Sequence, residues 1–356
     1  MCVRGVASNM RFFSLMSASV LTLTIVLNAQ IALAAEPLYE QIKVVPLGGP
    51  DRWDLLTFDP SSNRVYVAHG DRVSAVDGIR GTLVGEVSGI AGGAHGVATI
   101  PQSEKAYTDD GKAGLAIVFN LQSLKVERTI GAEADADAVV YDRSSGNVFV
   151  INGDSGKITV IDSKTDRPVA TIDLDGKLEL GAVDGSGKLF VNIANKREIA
   201  RIDTHSNKID GRWAIDSCDS PHGLAIDTDS RRLFASCENK VMVVVDAETG
   251  HIVASLPIGA RTDGAAFDPV RKRAFSSNGD GTLTVIAENG PNDFSVAGTI
   301  QTMIGARTMT LDPKTGRLYL VAADTVLDPQ ADPADARHRY KAIPGSAKLL
   351  FLDPTN

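Results

Sequence analysis

Seven charged residues, Asp54, His95, Asp137, Glu179, His222, Asp263 and Arg307, recur along the chain at spacings of 41 to 44 residues. Gathered at one point they would be four carboxylates, two imidazoles and one guanidinium, a set able to hold a divalent cation or to move a proton. Imidazole with carboxylate suits zinc, iron, copper or manganese, whereas carboxylates and water alone suit calcium or magnesium. The expected metal ligands are His95, His222, Asp137 and Asp263. His95 and His222 are also candidates for proton transfer, and the planar fork of Arg307 suits a substrate carboxylate. No local motif such as His-Glu-x-x-His is present, so the chemistry depends on a fold that converges residues far apart in sequence.

A second periodicity supplies such a fold. Aromatic residues stand at Tyr66, Tyr107, Phe149, Phe190, Phe234, Phe275 and Tyr319, again 41 to 44 residues apart. Strand-rich repeats of this length mark β-propeller blades. The stretch from Asp137 reads as an inner strand, Arg143-Ser144-Ser145-Gly146 as a turn, and Asn147 to Ile151 as a second strand. Asn152 to Gly156 reverses the chain into Lys157 to Asp162, and Val169 to Ile172 forms the outer strand. The expected fold is all-β, a seven-bladed β-propeller with four antiparallel strands per blade. The C-terminal repeat lacks its outer strand, and the segment from Gln41 to Gly48 resembles one, so the N-terminal strand should complete blade seven. The aromatics are expected to pack between blades. Each charged residue precedes its aromatic by twelve positions, or eleven in blade four, which places it where an inner strand begins, at the mouth of the central channel. Like charges so gathered oppose one another's ionisation unless something occupies the opening. The plain alternative is a wet channel mouth whose polar residues only cap turns.

Residues 1–34 read as a signal peptide: Arg4 and Arg11 precede an apolar run from Phe12 to Leu33, and Ala32-Leu33-Ala34 places cleavage near Ala34/Ala35. Met10 is an alternative start, and a retained anchor is the alternative to cleavage. Residues 36–356 are then one propeller domain, periplasmic or secreted and expected to be monomeric. Loss of Arg4 and Arg11 takes the net charge from -8 to -10, which disfavours nucleic acid as a partner. No later apolar run approaches the length of a membrane span.

The ends of the second strands should bring His69, Asp110, Asn152, Asn195, Cys237, Glu238 and Asn278 to the face of the ring. An insertion at 322–347, containing Arg337-His338-Arg339-Tyr340-Lys341, is expected to drape over the opening as a lid, without regular structure, and to bring His338 near. His69 and His338 thus join the candidate ligand-binding residues. Beyond the leader the chain has only Cys218 and Cys237, an even pair expected to form a disulfide in an oxidising compartment. Free thiols, or soft ligands beside His222, are the alternatives. Gly153-Asp154-Ser155-Gly156 is a hairpin turn, and the glycines before His95 open a strand and offer no helix-terminal phosphate site. Neither a nucleotide nor a covalent c-type haem is expected, since Cys-x-x-Cys-His is absent.

Val148-Phe149-Val150-Ile151-Asn152-Gly153, Ser220-Pro221-His222-Gly223-Leu224-Ala225-Ile226-Asp227 and Ile343-Pro344-Gly345-Ser346 resemble the YVTN-repeat, YncE-like seven-bladed propellers. The Asn of the YVTN pattern stands at Asn152 and Asn278 but is replaced by His69, Asp110 and Cys237 in other blades. The resemblance implies the fold strongly and the activity weakly, because similar propellers include lactonases, metal-dependent lyases and haem-d1 carriers. Three functions are therefore carried forward. The first is binding of a small polar ligand at the channel mouth, with a divalent metal ion as its cofactor. The second is a metal-assisted lactonase or lyase, and the third is a scaffold for cell-envelope proteins.

Overall fold

Residues 38–50, 52–331 and 339–355, together with 1–3, 5 and 7, are described by a computed structural model of the protein. The leader expectation falls almost entirely outside these residues, as does His338.

The sequence periodicity becomes seven antiparallel sheets of four strands. In blade three these are Ala136–Asp142, Asn147–Asn152, Lys157–Asp162 and Arg167–Asp173. The second and third strands are continuous apolar runs because neighbouring blades cover both of their faces. All seven repeating aromatics are at most 1% exposed, which makes them packing residues and removes them from any binding surface. Tyr319, for example, stacks on Phe58 of blade one with ring centroids 5.7 Å apart, joining the last blade to the first.

The first turn of six blades is set by an Asp that accepts hydrogen bonds from the backbone beyond it, as Asp142 does from Ser144 and Ser145 N–H, and Asp268 from Val270 and Arg271 N–H. Blade two lacks this Asp and turns instead through a 3-10 segment, Pro101–Ser103, where proline presets φ. Tyr39–Pro46 pairs with Lys348–Pro354 and completes blade seven. The closure leaves no open sheet edge between first and last blade and ties both ends of the domain together.

The insertion departs from expectation. Thr325–Leu327 and Tyr340–Ala342 form a two-stranded antiparallel ribbon, so the segment is regular at its base. Backbone pairing satisfies polar groups that a draped coil would leave to water.

The ring positions have a shared backbone device. Asp137, Glu179, His222 and Asp263 all lie where the register between first and second strand shifts, between Ala136/Ala138, Leu178/Gly181, Pro221/Leu224 and Thr262/Gly264. Such bulges re-aim side chains away from the regular alternation. Two residues before five of the seven ring positions the chain adopts positive φ, at Gly93 (106°), Asp135 (61°), Ser220 (48°), Arg261 (60°) and Gly305 (87°). For Arg261 this is a costly conformation, held by its surroundings.

Candidate functional site

The channel mouth is a cavity of about 450 Å³ lined by Asp54, Asp137, Glu179, His222, Asp263 and Arg307 among others. Six of the seven ring residues thus line one space, and the seventh, His95, is joined to it through Asp54 and Asp137. One potential ligand atom from each of Asp54, His95 and Asp137 lies within 4.8 Å of the others, and the same holds for Glu179, His222 and Asp263. The expected single metal set, His95 and His222 with Asp137 and Asp263, is therefore divided between two groups.

The two groups differ in how their histidines are held. His95 Nδ1 is 2.8 Å from Asp109 Oδ1, and Asp109 is fully buried and also accepts the backbone N–H of Gly96 at 2.7 Å. With Nδ1 engaged, Nε2 is the nitrogen left to face a cation, which is the arrangement of a metal-ligating histidine oriented by an outer carboxylate. His222 is instead enclosed by acids. Its Nδ1 lies 3.1 Å from Glu179 and 3.4 Å from Asp263, and its Nε2 lies 3.4 Å from Glu238 and 3.2 Å from Ser220 Oγ. Arg307 Nε is 2.9 Å from Asp263. The second group already contains its counter-charges.

Electrostatics follow that division. Burial, with the negative charges of Asp263 and Asp137, holds Asp54 well above the usual carboxylate range. Burial and the charge of Glu179 push Asp137 up to about 7 in spite of His95. Burial opposes the charge on His95, but the hydrogen bond and charge of Asp109, with Asp54 and Asp137, outweigh it and raise the imidazole to about 9. His222 likewise rises to about 9 against burial, through Asp263 and Glu179. Asp263 moves the other way: His222 and Arg307 overcome its burial and hold it below the usual value. The Asp54–His95–Asp137 group is thus short of positive charge, and the Glu179–His222–Asp263–Arg307 group is compensated.

The remaining expected site residues have other tasks. His69 is fully buried, with Nδ1 3.0 Å from Ser74 Oγ and Nε2 2.7 Å from the Pro50 carbonyl. Both nitrogens are occupied, burial lowers its pKa, and it stands outside the cavity lining, so it fastens a turn. Asp110 accepts from Gly92 and Ala113 N–H, Asn195 accepts from Lys177 N–H, and Asn152 and Asn278 bond within their own blades. The second-strand ends serve the turns that carry the ring, and among them only Glu238 reaches it. The insertion does contribute, because Thr325, Tyr340 and Ala342 line the cavity.

Several site residues had no expectation attached. Asp109 stands two positions beyond the repeating aromatic Tyr107, where the other blades have Ala68, Ile151, Asn192, Ser236, Ser277 and Val321. A lone acid in that apolar or neutral series was a usable signal. Arg52, Trp53, Lys177 and Arg261 also line the cavity, and nothing in their spacing distinguished them.

Cys218 and Cys237 form a disulfide with Cα atoms 5.3 Å apart. It ties the loop entering blade five to the end of that blade's second strand, so Ser220, His222 and Glu238 all lie within a few residues of the bridge. Reduction is expected to cost about 3 kcal/mol in the loop-entropy description. Thermal melts with and without reductant should show the difference, and unchanged melting would contradict it.

No family model matches the chain. YncE of Salmonella typhimurium, an uncharacterised protein, is 29% identical over 143 residues, which is 38% of this chain and 40% of that protein. The Salmonella typhi YncE gives 28% over the same length. The match thus spans well under half of these curated relatives. Among solved structures, Kuenenia stuttgartiensis hydrazine synthase superposes with a TM-score of 0.65 at 15% identity, over 77% of this chain and 92% of that one. A mitotic checkpoint complex crystal structure superposes with a TM-score of 0.70 at 16% identity, over 94% and 98%. At such identities these likenesses show the fold alone. With seven closed four-stranded blades the chain is a seven-bladed β-propeller, similar to YncE over 143 of its residues.

Proposed function

We propose that the protein is an extracytoplasmic propeller that binds a small polar ligand at its channel mouth through a divalent cation held by Asp54, His95 and Asp137. The observation that carries this reading is the buried Asp109 on His95 Nδ1, which orients an imidazole beside two carboxyl groups that remain raised in spite of it. A cation at that point would relieve the repulsion that holds Asp54 and Asp137 above their usual range. Two carboxylates with one imidazole, and room for solvent or ligand in the remaining positions, suit zinc, manganese or iron. The disulfide supports an oxidising compartment, in keeping with the leader-like N-terminal sequence.

Elemental analysis of protein purified without chelator, followed by titration with zinc, tests the reading. His95→Ala is expected to lose the metal, whereas His222→Ala retains it because His222 is spent on ion pairs. Absence of metal binding, or equal loss in both variants, would overturn the assignment.

A further inference from the structure

Beneath the charged mouth lies a second cavity of about 360 Å³, lined by inner-strand residues including Leu55, Val97, Ala138, Leu180, Ala265 and Met309. Leu55 and Leu180 also line the mouth, so the two spaces meet at these side chains. Among the described residues, no titratable side chain lines the lower space. Its two threonines are already engaged: Thr57 Oγ1 donates to the Val97 carbonyl at 2.5 Å, and Thr310 Oγ1 accepts the Phe58 N–H at 3.1 Å. The side chains of the wall therefore offer a ligand mainly apolar surface, alongside backbone groups of the inner strands.

The charges all sit at one end. Arg307 is anchored through Nε by Asp263 and remains 47% exposed, and Arg52, Lys177 and Arg261 line the same mouth. A carboxylate placed there would meet a guanidinium on one side and, on the other, a cation in the Asp54–His95–Asp137 group. Arg favours such planar, two-point recognition. Inner strands rise about 3.3 Å per residue, so the four steps from Leu55 to Asp59 span roughly 13 Å of channel. That depth accommodates an extended alkyl chain.

We propose that the ligand is an amphiphile, a monocarboxylate with an unbranched apolar tail of about four to eight carbons, its head at Arg307 and the cation and its tail running past Leu55 and Leu180 into the channel. The head-group half rests on the metal reading above, whereas the tail half rests on the lower cavity. A mainly apolar wall beside a charged mouth recognises such a molecule end by end, since each buried methylene favours binding.

The test is calorimetric titration of the zinc-loaded protein with acetate, butyrate, hexanoate and octanoate. Affinity is expected to rise about three- to fourfold per added methylene through octanoate. Leu180→Trp, which narrows the junction of the two spaces, should flatten that slope, and Leu55→Gln provides a second variant if the first does not fold. Equal affinity for acetate and octanoate overturns the proposal while leaving the metal site standing. A slope unaffected by both folded variants overturns it as well. Alkylamines that bind the metal-free protein, where carboxylates do not bind with zinc, overturn the choice of head group. Failure of the metal reading is seen separately, in the zinc titration alone. In that event the same series on metal-free protein still reads the channel: a chain-length slope supports the tail site and a flat series overturns it.

Discussion

Asp137→Asn is expected to stabilise the metal-free protein while removing its affinity for a cation. Asp137 titrates at about 7 in the folded protein, against a usual value of 3.8. A carboxyl group raised on folding binds its proton more tightly in the native state, so its contribution to stability falls as pH climbs above about 4 and the loss is complete above about 7. Asparagine keeps the shape and removes the charge. A tenfold change in proton affinity corresponds to about 1.4 kcal/mol, and because the half-buried group is partly screened at a channel mouth, a gain of about 1–2 kcal/mol at pH 8 is a reasonable magnitude. At pH 4 the gain should vanish. Urea denaturation of both proteins in chelator at the two pH values measures this, and an equal gain at both would exclude an electrostatic origin. The same substitution removes one of three protein ligands, so zinc affinity should fall at least as much as the 10–100-fold typical for loss of an outer hydrogen-bonding partner. Stabilisation together with loss of binding is what separates a functional site from a structural ion pair.

Zinc affinity should climb steeply with pH and level off above about 9. The imidazole of His95 must be neutral to bind a metal, and Asp109 holds it protonated up to about 9. One proton must therefore leave between pH 7 and 9, which gives about a tenfold rise in affinity per pH unit. The protons on Asp137, below about 7, and on the likewise raised Asp54 must leave as well, and the profile becomes steeper. The metal-free protein follows the opposite course. His95 and His222 are raised from 6.5 to about 9 on folding, so the stability they contribute is fully present below 6.5 and is lost as pH rises through 9. Asp109→Asn should lower the pKa of His95, flatten the affinity profile, and weaken binding 10–100-fold above pH 9, where most of the wild-type imidazole has lost its proton. Competition with a chelator of known affinity between pH 6 and 9.5 reads all of this, and a flat wild-type profile would remove His95 from the ligand set.

The ring was legible because a propeller repeats its backbone. Twelve positions before the aromatic, or eleven in blade four with its shorter turn, means the same place in every blade, and Asp54 through Arg307 could be collected without knowledge of any contact. His69 shows the limit of this method. It shares the mouth-side end of its blade with the ring, yet Ser74 and the Pro50 carbonyl hold both of its nitrogens. Position along a strand fixes which end of the blade a residue occupies, but not which hydrogen bonds it has already made. The insertion illustrates a related limit, because its Pro and Ala content argued for a coil while cross-strand pairing of Thr325–Leu327 with Tyr340–Ala342 is a property of two segments meeting.

The division of the ring into an undercharged group and a compensated one was beyond the reach of periodicity. His95 and His222 occupy the same position in their repeats and carry the same side chain. One is held by Asp109 of its own blade and the other by Glu179 and Asp263 of its neighbours. By itself the sequence determined the number of blades, the closure at the chain ends and the residues that face the channel mouth, because these follow from a repeat of about 42 residues, and it determined the cysteine pair because only two cysteines lie beyond the leader. The tertiary structure alone decided which carboxylate meets which imidazole, where counter-charge is scarcer, and that a cavity lined mainly by apolar side chains continues below the charged mouth. Those are matters of a few ångströms between separate blades, set by bulges and neighbouring side chains that no single repeat contains.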